Sequence, residues 1–129
     1  EDTPEATIVG SVPNDQINSY IDGASALVMT SQGFDNQPMV ITEAIVGGRG
    51  FVSMDNDLVN DVIQGVGIAP RGTTPDDLAR CLAELIDRPE LLQRMSDTAA
   101  LAAPHYNAIQ GLERQLGAYQ QALDSHSRA

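Results

Sequence analysis

ALVMTSQGFDNQPMVITEAIVGGRGFVS, residues 26–53, reads in turn as strand, loop, helix and strand. Ala26-Leu27-Val28-Met29 is an unbroken apolar run, the pattern of a strand buried on both faces of a parallel sheet. Residues 30–37 form a polar turn rich in Ser, Gln, Gly, Asp and Asn. Pro38 suits a first helical position, because its φ is fixed near the helical value and the N–H it lacks has no partner there. The pattern predicts a helix from Pro38 to about Val46, with Met39, Ile41, Ala44 and Ile45 available to cover a sheet. Gly47-Gly48 ends that helix, and Phe51-Val52 begins another short strand. The loop thus lies at the carboxyl end of the first strand, where open α/β sheets place their ligands.

Working outward, Ala6-Thr7-Ile8-Val9-Gly10 predicts a short strand. Asn14 is placed to cap a helix over residues 15–22, which sets Ile17, Tyr20 and Ile21 on one face and which Gly23 stops. Downstream, Asp55-Asn56-Asp57 is a turn, and Leu58, Val59, Val62 and Ile63 belong to a short helix over residues 58–64. Val66-Gly67-Ile68-Ala69 reads as a last short strand. Thr74-Pro75-Asp76-Asp77 is a helix start: Thr74 caps, Pro75 takes the first position, and the acids meet the positive end of the dipole. That helix carries Leu78, Cys81, Leu82, Leu85 and Ile86 as one stripe. Asp87-Arg88-Pro89 breaks it and starts the next, which carries Leu91, Leu92, Met95 and Ala99 and ends at Pro104. A last helix, over residues 106–125, spaces Ile109, Leu112, Leu116, Tyr119 and Leu123 as a seam that wants a partner. The fold class expected is α/β, a partial Rossmann-like parallel sheet of about four strands flanked by helices, with a C-terminal helical segment.

A chain of 129 residues fits one domain. Seven arginines and no lysine stand against eighteen acids, and the net charge of −11 argues against nucleic acid and anionic membrane as partners. The single Cys81 excludes an internal disulfide framework and a multi-cysteine zinc site, and no metal is expected. No apolar run approaches the roughly 18 residues of a membrane span, and no signal peptide is read, so a cytoplasmic location is the expectation. Arginine without lysine suggests a bacterial source.

The central stretch resembles the retaining glycosyltransferases of the GT-B fold, group 1 (family 4), in their nucleotide-sugar-binding half. Their signature is an apolar strand ending in Ser, a Glu, seven residues, a second Glu followed by Ala, and a Gly-x-Pro-Val-Val strand. Here Ser31 closes the strand, Asp35 stands at the first acidic position, and Glu43-Ala44 match the second. Gly48-Arg49-Gly50-Phe51-Val52 occupies the strand motif, with Gly50 where the family has Pro. Asp61-Val62-Ile63 through Gly65 and Gly67 loosely match a further segment, and the resemblance runs over residues 7–123.

The resemblance implies a UDP- or GDP-sugar as substrate, with no cofactor. It makes Glu43 the carboxylate that accepts hydrogen bonds from the ribose hydroxyls; the plain alternative is a solvent-facing helix glutamate. It gives Asp35 the place of the catalytic Glu that contacts the transferred sugar, one methylene shorter; the alternative is a turn-forming Asp before Asn36. Gln37, Pro38, Met39 and Val40 form a first helical turn whose free amides suit a phosphate, with Met39 and Val40 as donors. Ser31 can add a hydroxyl. Arg49 is the basic residue near the stretch, where it either steers phosphates or serves the surface. Neither His105 nor His126 has a nucleophile or carboxylate placed to make it catalytic, and Cys81 reads as core.

In the resembling enzymes this chain corresponds to the later part of the second of two domains. Two strand–helix units, with a phosphate-binding Arg and Lys, have no counterpart here, nor does the acceptor domain. The chain alone is therefore expected to be inactive. The expected partners are the nucleotide-sugar and either the missing acceptor domain or a second copy, through the open sheet edge and the C-terminal helix. The strand at residues 7–10 is expected to pair directly with residues 26–29, or to exchange with a second copy, because unpaired buried backbone is costly. Two readings stand: the donor-binding piece of a retaining glycosyltransferase, and a non-catalytic binding or assembly protein that keeps the fold.

Overall fold

The computed structural model describes residues 6–33, 38–61, 64–106 and 108–127. Its elements run α1 (Asn14–Gly23), β1 (Ala26–Met29), α2 (Met39–Val46), β2 (Gly50–Ser53), α3 (Asn56–Asp61), β3 (Gly67–Ile68), α4 (Pro75–Asp87), α5 (Pro89–Ala102) and α6 (Ala108–Ser127), with a 3₁₀ turn at Ala103–Tyr106. The three strands form one parallel sheet in the order β1-β2-β3. Ala26 lies beside Gly50 and Met29 beside Ser53, while Phe51 lies beside Gly67.

β2 is the centre, buried along its whole length. Its neighbouring side chains point to opposite faces, and each face has its own core. Phe51 packs with Ile41, Ile45, Leu58, Val66, Ala99 and Ala102. Val52 packs with Leu85 and Met95, joined by Leu78, Cys81, Leu82, Leu91 and Leu92. The sheet is therefore covered on both sides, as the apolar runs require.

Several expectations are corrected. Among the described residues the sheet has three strands rather than about four, because residues 6–10 pair with none of them: all five are exposed, Ile8 at 93%. Apolar β-branched sequence alone makes no strand; a ladder partner is required. The last strand is two residues long rather than four. Asn14 does not cap α1; Pro13 holds the N-cap position without a side-chain bond. Pro38 likewise sits one place outside α2, at ψ 128°, and its carbonyl accepts from the Ile41 amide. Met39 covers no sheet: it is 72% exposed, on the opposite face of α2 from Ile41, Ala44 and Ile45. Tyr20 and Ile86 face solvent too, each one step outside its helix's buried stripe. The short third helix begins two residues early, since the Asp55 carboxylate caps it by accepting from the Asp57 and Leu58 amides at 3.0 and 3.1 Å. Val62 and Ile63 lie outside the described residues. Among the described residues, no helix is long and apolar enough to cross a membrane.

Candidate functional site at the carboxyl edge of the sheet

All three strands are parallel, so the segments that leave them, residues 30–33, 54–55 and 69–74, converge at one edge. They are tied to one another. Gln32 Nε2 donates to the Thr73 carbonyl at 3.0 Å, joining the exits of β1 and β3. The Gly33 amide donates to Asp55 Oδ2 at 3.0 Å, joining the exits of β1 and β2. Ser53 Oγ accepts from the Asp55 amide at 3.1 Å, and the Met54 amide donates to the Met29 carbonyl. Asp55 thus divides its oxygens between the α3 cap and the Gly33 tie, which fixes a negative charge at the end of β2.

The expected site residues fall as follows. Ser31 is exposed, two positions beyond β1. Met39 and Val40 open α2, and first-turn amides have no acceptor inside their helix, so both suit an anion. Glu43 lies one turn further along, half-buried, and its carboxylate makes no hydrogen bond or ion pair among the described residues. A long helical side chain leans toward the helix N-terminus, which aims Glu43 back at the turn holding Met39. The structure brings Met39, Val40 and Glu43 onto one helix beside the exit of β1. Asp35 and Gln37 lie outside the described residues.

Arg49 belongs elsewhere. It precedes β2, at the amino end of the sheet, and donates from Nε to the Ile21 carbonyl (3.2 Å) and from Nη2 to the Asp22 carbonyl (2.7 Å). It closes the C-terminus of α1, where a cation meets the negative end of the dipole. Being near the stretch in sequence put it at the far side in space, since a strand separates it from the carboxyl edge.

Sequence reasoning missed three participants. Asp55 was legible as an Asp three places before Leu58, the signal of an N-cap. Gln32 acts through a partner 41 positions away, which nothing local announces. Arg71 follows β3 and borders a hollow of about 360 Å³ between that exit and α4, together with Pro70, Arg80, Cys81 and Glu84. Arg80 there is paired with Asp77 at 2.5 Å. Burial, and then the nearby Glu84 carboxylate, push the Cys81 thiol up, so it stays protonated and behaves as packing rather than as a nucleophile. Among the described residues, no three His, Cys, Asp or Glu side chains stand together as a metal site.

Compared with known proteins, the chain matches no family model, no curated protein and no solved structure.

Proposed function

We propose that the carboxyl edge of the sheet binds the nucleotide portion of a nucleotide-sugar, UDP- or GDP-linked, and that the chain is the donor-side piece of a retaining glycosyltransferase. The observation that carries this reading is Glu43, a half-buried carboxylate without a partner among the described residues, on the helix that Met39 and Val40 open. In this role Glu43 accepts the two ribose hydroxyls, while the Met39 and Val40 amides hold phosphate oxygens. Ser31 adds a hydroxyl, and the resemblance gives Asp35 the contact with the transferred sugar and Gln37 a part in holding the phosphates. Asp55 and the overall charge of −11 oppose a dianion at the end of β2, so the phosphates belong over α2, away from Asp55. Arg71, at the exit of β3, is a basic residue on the same carboxyl edge of the sheet. The resembling enzymes take their acceptor on a separate domain, so the isolated chain is expected to transfer no sugar.

The test is thermal unfolding against a panel of nucleoside diphosphates and their sugars. A ligand at 100 times its dissociation constant adds about 2.7 kcal/mol, several degrees for a domain of this size. One base series is expected to raise the midpoint, and Glu43→Ala to abolish that rise while leaving the unliganded midpoint unchanged. No shift with any nucleotide overturns the reading.

A second reading, a non-catalytic assembly protein on the same fold, is favoured by α6. Leu112, Leu116, Tyr119 and Leu123 lie along it more than half exposed, a seam with nothing packed on it among the described residues.

A further inference from the structure

We infer that the hollow between the exit of β3 and α4 binds a small organic carboxylate, with Arg71 on its charged head and an apolar lining against its body. The hollow measures about 360 Å³ and opens at the carboxyl end of β3. Small-molecule sites of about 300–1,000 Å³ are common, and open parallel sheets place them at this end of their strands.

Two walls form it. One is the chain leaving β3, from Ile68 to Arg71. The other is one face of α4, because Asp77, Arg80, Cys81 and Glu84 recur at helical spacing. Ile68, Ala69, Pro70 and Cys81 supply the apolar lining. The backbone that carries Arg71 is held in place. Pro70 is buried, the Thr73 carbonyl accepts from Gln32 Nε2 at 3.0 Å, and Thr74 is locked into the capping box of α4. A Cβ on Gly72 would run into the Asp77 carboxylate, so glycine lets this segment pass close over the helix start. A wall ordered before its ligand arrives gives up less entropy on binding.

Charge decides the class of ligand. Among the charged residues of the lining, the two acids and Arg80 are already engaged. The Asp77 carboxylate accepts from the Thr74 amide at 3.0 Å and hydroxyl at 2.6 Å, and pairs with Arg80. Glu84 Oε1 accepts from Arg88 Nη1 at 3.1 Å. Arg71 makes no hydrogen bond or ion pair among the described residues. Its planar guanidinium fits a carboxylate through two parallel bonds, and the apolar lining suits a carbon body behind that head. Asp77 and Glu84 stand on the other wall and the chain carries a net −11. A single negative charge is therefore better tolerated than the roughly two of a phosphate monoester. This site belongs to the exit of β3 rather than to α2, and it is independent of the nucleotide reading.

Cys81 is the single cysteine of the chain and lines the hollow half-buried, so it reports occupancy. The experiment follows its alkylation by iodoacetamide, by mass spectrometry of the full chain, in benzoate, phenylacetate or isovalerate at matched ionic strength. A carboxylate at about ten times its dissociation constant is expected to slow the reaction about tenfold, since only the free chain reacts. The corresponding primary amides and inorganic phosphate are expected to leave the rate unchanged. Arg71→Gln is expected to abolish the protection while keeping the wild-type rate without ligand, because Arg71 has no partner in the fold to lose. The inference is overturned if none of the three carboxylates slows alkylation, or if the amides or phosphate protect equally. Protection of Arg71→Gln to the wild-type extent overturns it as well.

Discussion

A Cβ built on Gly67 would fall 2.4 Å from Cζ of Phe51, the ring at the centre of one core. At Gly50 it would fall 2.6 Å from Cβ of Met95. Both distances are far inside van der Waals contact, so Gly67 leaves room for the Phe51 ring of the neighbouring strand and Gly50 for Met95 on α5. Gly67→Ala is expected to cost about 1–3 kcal/mol, the range for overpacking a filled core. Urea unfolding checks it, and an unchanged midpoint would contradict the packing described here. The candidate site has the opposite character at this scale. The Glu43 carboxylate has no partner among the described residues, and removing it should cost the fold nothing.

Helix α4 shows how local chemistry fixes an element. The Asp77 amide donates to Thr74 Oγ1 at 3.2 Å, and the Thr74 amide returns a bond to the Asp77 carboxylate at 3.0 Å, a reciprocal capping box. The Thr74 hydroxyl, then its amide, and the Arg80 guanidinium hold the Asp77 carboxyl below its ordinary value. The ionised form is thus favoured in the fold, so its contribution is present above the usual carboxylate range and is lost as pH falls from about 4 through the lowered value. Thr74→Ala is expected to cost about 1 kcal/mol at neutral pH. The gap in melting temperature between wild type and Asp77→Asn should close as the pH falls through that window; a gap independent of pH would contradict it. This helix start was legible because all its signals lie within four residues. The β1–α2–β2 unit was legible for a related reason, since buried apolar runs and a Gly-Gly stop mark each boundary. The strand expected at residues 7–10 was not, because strand formation depends on a partner that local sequence does not name. The site divides in the same way. Met39, Val40 and Glu43 follow from the helix register, whereas the Gln32–Thr73 and Gly33–Asp55 ties, and the removal of Arg49 to the amino end, follow only from the parallel pairing.

At the scale of the molecule, three parallel strands are clad on both faces, yet among the described residues the outer edges of β1 and β3 are unpaired and the seam of α6 is exposed. A small sheet so arranged is suited to being completed by something else, whether a copy, a domain or a ligand. The strong acidity limits which partners can approach and where. We propose that a nucleotide-sugar settles over the start of α2. Amide chemical-shift mapping of the ¹⁵N-labelled chain, titrated with UDP-glucose and GDP-mannose, tests it most directly. Saturable shifts are expected with one of the two, concentrated at Ser31, Met39, Val40 and Glu43, with Arg49 and the rest of the amino end unmoved. Shifts centred on α6 or the amino end, or none with either sugar nucleotide, would contradict it.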